Sequence, residues 1–301
     1  VGLSQSDVFV GSALVDMYAK CGLLSEAGQV LRKLQVRNVV TWNALIGGFV
    51  KIGYGKEALA SLRGMKLDNI CPDIVTFTLS LKACGISMSP KKGREIHSDI
   101  AKMGLLEKDM FIGSALVNMY IDCGLFAEAN KLFVLLNIRD VVTWNTLISG
   151  YVQHEHFEEA LKLYDSMDIS PNAITYACIL KACGNVGAIK KGSVIHAEVV
   201  EKDLLKTKFC PFLGNMLVEM YAKCGVIQKA QQVLDELPAK SIESWVALMD
   251  GYAHLGQPKK VVSLFKEIIK KGIIPNVATF LALLNACNHG GLLKEGQILF
   301  E

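Results

Sequence analysis

The chain lacks any Cys-x-x-Cys pair, although it carries nine cysteines in 301 residues. Zinc-ribbon and thioredoxin-like chemistry are thereby excluded. It also lacks an uninterrupted apolar run of the roughly 18 residues that a membrane helix needs. Charge imbalance is small: 32 Lys and Arg against 29 Asp and Glu leave a formal net charge of +3. That excludes tight nucleic-acid binding by whole-molecule attraction and leaves any such binding to local geometry. No Gly-rich phosphate loop, Ser/His/Asp set or pair of carboxylates stands out. His196-Ala197-Glu198 matches the first part of a zinc-deaminase signature, but no Pro-Cys-x-x-Cys follows it. Neither catalysis nor a cofactor or metal is expected. With 51% hydrophobic and 20% charged residues, the composition is that of a packed chain rather than a disordered one.

What the chain does contain is repetition. Val39-Val40-Thr41-Trp42-Asn43-Ala44-Leu45-Ile46 returns at 141–148 and, altered, at 242–249. The tryptophans at 42, 144 and 245 lie 102 and 101 residues apart. Asp16-Met17-Tyr18-Ala19-Lys20-Cys21-Gly22 returns at 118–124 and 219–225; Leu81-Lys82-Ala83-Cys84 returns at 180–183 and, in part, at 284–287. Such a period means an array. Aligned on these stretches, the units are 8–38, 39–73, 74–109, 110–140, 141–172, 173–210, 211–241, 242–276 and a truncated 277–301, with 1–7 the tail of an earlier unit. The chain begins without Met and ends in mid-pattern, so it is expected to be a stretch of a longer protein.

Each unit reads as two helices. Trp42, Leu45, Ile46 and Phe49 follow the i, i+3, i+4, i+7 spacing of one helical face. Gly53 sits where a left-handed stop is needed, and a second helix is expected from about 56 to 66 with Ala58, Leu59, Leu62 and Met65 inward. Ala27, Ala58, Ala129, Ala160 and Ala230 supply a small residue near the start of each second helix. A lone hairpin cannot bury its apolar face, so the units must stack. The tryptophans are expected in the core. Cys21, Cys123 and Cys224 before turn glycines, and Cys84, Cys183 and Cys287 after alanines, read as small buried hydrophobes in a reducing setting. His97 and His196 occupy equivalent places and read as packing residues. His154-Glu155-His156 reads as a solvated turn.

On these motifs together the chain resembles the pentatricopeptide repeat (PPR) family. The alternation of 31-, 35- and 36-residue units resembles its PLS subclass, with S, P and L repeats in that order from residue 8. The resemblance implies an all-α right-handed superhelical solenoid of helix-turn-helix repeats. It implies single-stranded RNA as partner, one base per repeat, chosen by the fifth and last residues. An Asp accepts from the ring N–H of U or G, and an Asn donates to the bare ring nitrogen of C or A. Carried over, Ser12 with Asn38 reads A, Asn43 with Asp73 reads U, and Thr78 with Asp109 reads G. Ser114 with Asp140 reads G, Asn145 with Asn172 reads C or U, and Asn215 with Ser241 reads C over U. Ala177 with Cys210 gives no reading, and Val246 with Asn276 departs from the pattern because Val cannot hydrogen-bond a base. The implied target is near 5′-A-U-G-G-(C/U)-N-(C/U)-N-3′.

The second residues, Phe9, Val40, Val75, Phe111, Val142, Ile174 and Phe212, are implied to sandwich the bases, while Glu243 and Ala278 depart from this. Lys20, Lys51 and Lys223, at the thirteenth place, are implied to meet phosphate. The resemblance further implies an organellar setting, mitochondrion or chloroplast, and a role as the specificity part of a cytidine-to-uridine editing factor with editing-complex proteins as partners. An RNA-stability or splicing role on the same fold, and a protein-binding helical scaffold, are the alternatives. Polar groups at the fifth and last places favour RNA over a peptide.

Overall fold

The computed structural model describes residues 8–106, 109–136, 140–205, 211–238 and 240–290. The expected tail at 1–7, Cys210 and the end of the truncated unit at 291–301 lie outside the described residues. Among the described residues the chain is all-helical, with seventeen helices and no strand, as the repeat pattern predicts.

The chain divides into two compact halves, Val1–Gly150 and Tyr151–Glu301. The first contains α1 (Val8–Lys20), α2 (Leu24–Lys33), α3 (Val39–Lys51), α4 (Gly55–Leu67), α5 (Ile74–Ile86), α6 (Pro90–Lys102), α7 (Met110–Asp122) and α8 (Phe126–Leu135). Helix α9 (Val141–Gln153) crosses the division. The second contains α10 (Phe157–Asp165), α11 (Ala173–Val186), α12 (Ile189–Glu201), α13 (Pro211–Lys223), α14 (Ile227–Glu236), α15 (Ile242–His254), α16 (Pro258–Lys270) and α17 (Val277–Gly290). Odd-numbered helices are the first helices of hairpins and even-numbered ones the second.

In the first half α1, α3, α5 and α7 pack side by side, each also against its own second helix. In the second half α11, α13, α15 and α17 pack side by side, and α11, α13 and α15 each also against its own second helix. Second helices also wedge against the next first helix, α2 on α3, α4 on α5 and α6 on α7 in the first half, and α10 on α11, α12 on α13, α14 on α15 and α16 on α17 in the second, so the core is continuous from hairpin to hairpin within these stacks. One stretch of it joins Val15, Ala19, Leu24, Ala27, Leu31, Trp42, Leu45 and Met65 from four successive helices. Trp42, Trp144 and Trp245 are all buried, as expected. So are Ala27, Ala58, Ala129, Ala160 and Ala230, the small residues near the start of second helices. Ion pairs join successive second helices: Lys66–Asp99 at 2.7 Å, Arg94–Glu128 at 2.9 Å and Lys191–Asp165 at 2.5 Å. Solvent-exposed pairs of this kind add about 0–1 kcal/mol each.

Helix ends follow from local chemistry. Gly53 adopts φ +85°, the left-handed stop expected between α3 and α4. First helices begin on side-chain caps. Asn38 accepts from Thr41 N–H at 2.9 Å, Asp73 from Thr76 N–H at 2.7 Å and Asp140 from Thr143 N–H at 2.8 Å. Asn172 takes Thr175 N–H at 3.0 Å, Ser241 takes Ser244 N–H at 3.4 Å and Asn276 takes Thr279 N–H at 3.0 Å. At Asn38, Asp73 and Asn172 the threonine hydroxyl reciprocates with the cap backbone, completing a capping box. Asp109 caps α7 through Phe111 N–H at 2.8 Å.

The cysteine expectation needs one correction. Cys84, Cys183 and Cys287 are buried and Cys123 and Cys224 half-buried, but Cys21 is exposed. Cys123 and Cys224 lie on the preceding hairpin, their thiols 3.7 and 3.6 Å from the Cys84 and Cys183 carbonyls. Cys21 belongs to the first described hairpin, and no earlier one covers it among the described residues.

Two outcomes follow from this packing. A Cβ on Gly55 would lie 2.6 Å from the Ala83 carbonyl oxygen and 3.0 Å from Ser87 N, both backbone atoms that cannot swing aside. Gly55→Ala should therefore destabilise by roughly 1–3 kcal/mol, whereas Gly28→Ala, whose Cβ meets only the end of Arg32, should not. Denaturant midpoints read the contrast, and an undiminished midpoint for Gly55→Ala would refute the close approach. Asp73→Ala should cost about 1 kcal/mol through the lost cap, and Asp73→Asn little. Partial burial pushes the Asp73 carboxyl up, but the Thr76 N–H, the Asn43 amide and the Thr76 hydroxyl outweigh it and hold it below 3.8. Its stabilising charge is thus present above that value and lost as pH falls through the lower folded-state value. An acid titration of stability should show this loss in the wild type and less of it in Asp73→Asn.

Candidate nucleic-acid interface

On an α-helix the second, fifth, ninth and thirteenth residues share a face, being three or four apart. The second residues are among the large apolar groups that the core does not take. Phe9, Val40, Val75, Phe111, Val142, Ile174 and Phe212 are all exposed, from 37% for Phe212 to 87% for Phe9. Within each half, aliphatic and aromatic groups left uncovered at one repeating place suit flat apolar partners. Glu243 and Ala278 are exposed at the same place without such a side chain.

In unit 39–73 the fifth and last residues are brought together. Asn43 Nδ2 donates to Asp73 Oδ1 at 3.0 Å, joining the fifth and last residues of one unit. Asn43 Oδ1 accepts from the Thr76 hydroxyl at 2.7 Å. The Ser114 hydroxyl lies 3.1 Å from that of Thr143, and Ser244 donates to Asn215 Oδ1. Ser12 and Asn145 are buried. Thr78 differs: its hydroxyl donates to the Ile74 carbonyl of its own helix at 2.8 Å.

The last residue of a unit is also the cap of the next first helix. Asn38, Asp73, Asp109, Asp140, Asn172 and Ser241 all have this second role, which the reading of them as recognition groups had missed. The signal was present as Asn/Asp/Ser-x-x-Thr/Ser in Asn38–Thr41, Asp73–Thr76, Asp140–Thr143, Asn172–Thr175 and Ser241–Ser244. Capping decides which group remains. A backbone N–H only donates, so it holds the amide oxygen of Asn38 and turns the NH2 away from the cap. On Asp73 all three donors fall on Oδ1, leaving Oδ2 as an acceptor outside the network. Burial raises the Asp140 carboxyl, but bonds from the Thr143 hydroxyl and N–H outweigh it and the net shift is downward. Both carboxylates are therefore ionised at neutral pH.

The thirteenth-place lysines are exposed, but two are paired. Lys20 meets Asp16 at 2.6 Å, and Lys223 meets Glu219 at 2.8 Å and Asn185 at 3.4 Å. In the second half a cavity of about 340 Å³ opens on this face. Glu219, Glu243 and Asp250 line it against Lys223 and His254, beside Val246. Burial raises the Asp250 carboxyl. A surface with three carboxylates repels phosphate, in keeping with the departures at Glu243 and Val246.

His97 and His196 are packing groups, as expected: each ring nitrogen Nδ1 bonds a tyrosine hydroxyl of the next hairpin, Tyr120 at 2.7 Å and Tyr221 at 3.0 Å. Burial lowers both imidazoles. His154, Glu155 and His156 lie exposed at a turn.

A PPR repeat family model matches residues 37–85, 139–185 and 240–289, and a PPR repeat model matches 12–39. A mitochondrial pentatricopeptide repeat-containing protein of Arabidopsis thaliana, At3g02330, is 35% identical over 98% of this chain and 35% of its own length. A chloroplastic one from the same plant, At3g57430, is 33% identical over 99% of the chain and 35% of its own length. The chain thus spans about a third of either relative. Its fold is like that of the pentatricopeptide repeat protein PPR10, crystallised in complex with an 18-nt psaJ RNA element. That likeness has a TM-score of 0.75 at 17% identity, over 97% of this chain and 44% of the other. Most of the chain is matched by the repeat models, and the hairpin stacks agree with them: the protein belongs to the pentatricopeptide repeat family.

Proposed function

We propose that the chain binds single-stranded RNA in a plant organelle, hairpin by hairpin, each unit holding one nucleotide. The observation that carries this is the junction of Asn43 with Asp73 beside the exposed Val40 and Val75. A base slotted between two second residues would meet the fifth and last side chains edge-on. The face above it would gain contact worth roughly 1–3 kcal/mol where the second residue is aromatic. Asp73 Oδ2 would accept from the ring N–H of U, and the outward NH2 of Asn38 would donate to the ring nitrogen of A. The proposed target stays near 5′-A-U-G-G-(C/U)-N-(C/U)-N-3′. The carboxylate-lined cavity of unit 242–276 is a poor phosphate site, so the grip ends with unit 211–241. The mitochondrial and chloroplastic names of the relatives support the organellar setting. The unit lengths support the PLS subclass, and with it a part in choosing cytidines for editing alongside editing-complex proteins.

Binding to RNAs that differ at single positions tests the proposal. Asp73→Asn keeps the cap and exchanges an acceptor for a donor, so preference at the second nucleotide should move from U to C with stability nearly unchanged. Adding Asn43→Ser should move it on to A. Phe111→Ala should weaken all targets by about 5- to 150-fold, the equivalent of 1–3 kcal/mol. Equal affinity for a permuted sequence would defeat the proposal.

A further inference from the structure

We infer that the hydroxyl at the third place of a unit is a positioning residue for recognition by the unit before it, with Thr76, Thr143 and Ser244 acting on Asn43, Ser114 and Asn215. The inference rests on the RNA-reading proposal and adds a specificity determinant to it. Thr76 is fully buried, so its hydroxyl does not itself touch a ligand. Its oxygen accepts from the Asp73 N–H at 3.2 Å and lies 2.7 Å from Asn43 Oδ1 and 2.8 Å from Asp73 Oδ1, which share or compete for its one proton. One hydroxyl thus sits against both reading side chains. It holds Asn43 Oδ1 inward and turns Nδ2 toward Asp73. An amide free to flip would offer a donor or an acceptor equally well, and selectivity would fade.

The same contact recurs at two other junctions. Ser114 meets Thr143 at 3.1 Å, and Asn215 meets Ser244, with Thr143 and Ser244 both buried. A different arrangement occurs where units 110–140 and 211–241 follow. Their third residues are Ile112 and Leu213, fully buried and unable to hydrogen-bond. The preceding fifth residues are Thr78, bonded to its own helix, and Ala177, with no hydrogen-bonding side chain. At these five junctions a hydroxyl at the third place goes with a fifth residue held across the junction, and hydrocarbon with one that is not. Thr279 carries a hydroxyl behind Val246, which offers nothing to hold, and there it serves the Asn276 cap.

Thr76→Val removes the hydroxyl but keeps the shape, and leaves the backbone N–H of residue 76 to bond Asp73. Thr76→Ser keeps the hydroxyl. Four RNAs carrying A, C, G or U at the second nucleotide of the proposed target are titrated against wild type and both variants, with thermal unfolding of each. The expected result is a loss of about fivefold or more in the U preference of Thr76→Val, the factor one ordinary hydrogen bond carries. Thr76→Ser should restore it. Affinity lowered equally for all four RNAs, or a U preference intact in Thr76→Val, overturns the inference while the reading proposal stands. A wild type without base preference at that nucleotide overturns both. Thr143→Val repeats the test on the fourth nucleotide through Ser114, so a Thr76→Val protein that does not fold leaves the question answerable.

Discussion

Each first helix opens with four backbone N–H groups that have no partner inside it, and in this protein a unit's last side chain takes one or more of them. That contact fixes where a hairpin begins and the angle at which the chain enters it. It also orients the side chain that the family resemblance marks for recognition. Stability and the proposed base choice would thus be joined in a single side chain: one oxygen faces the helix, and whatever the side chain has left faces outward. Asn and Asp cap about equally well, so the array can change its outward chemistry without disturbing its stacking.

Stacking supplies the other half of the design. Small residues let paired helices approach, and the indoles of Trp42, Trp144 and Trp245 fill the space that remains. Because second helices such as α2, α4 and α6 touch both their own partner and the next first helix, the position of one unit's fifth residue is set by its neighbour as much as by its own hairpin. Asn43 shows this: its side chain hydrogen-bonds Asp73 and Thr76, residues at and beyond the unit boundary.

The helices were legible because apolar spacing, turn glycines and repetition agree. Helix α4 runs from Gly55 to Leu67 where 56 to 66 was expected. The exposed second residues were legible only by resemblance, since nothing in their spacing says that Val40 stays outside while Val50 goes in. The caps were spelled out as Asn/Asp-x-x-Thr but were overlooked, because the last residue had already been given another task. Lys20 and Lys223 as phosphate groups ignored a carboxylate four residues earlier, in Asp16 and Glu219, which occupies the same helical face. Cys21 could not be distinguished from Cys123 by its own segment, because what buries the latter is the preceding hairpin.

The hydroxyls that reach across a unit boundary make neighbouring hairpins interdependent. A segment cut out at such a boundary would leave its last fifth-place side chain without the hydroxyl that holds it, whereas a cut just ahead of the helix that carries Ile112 or Leu213 would sever no such bond. Modules exchanged between arrays would therefore keep their side-chain geometry best when spliced ahead of a hydrocarbon third residue.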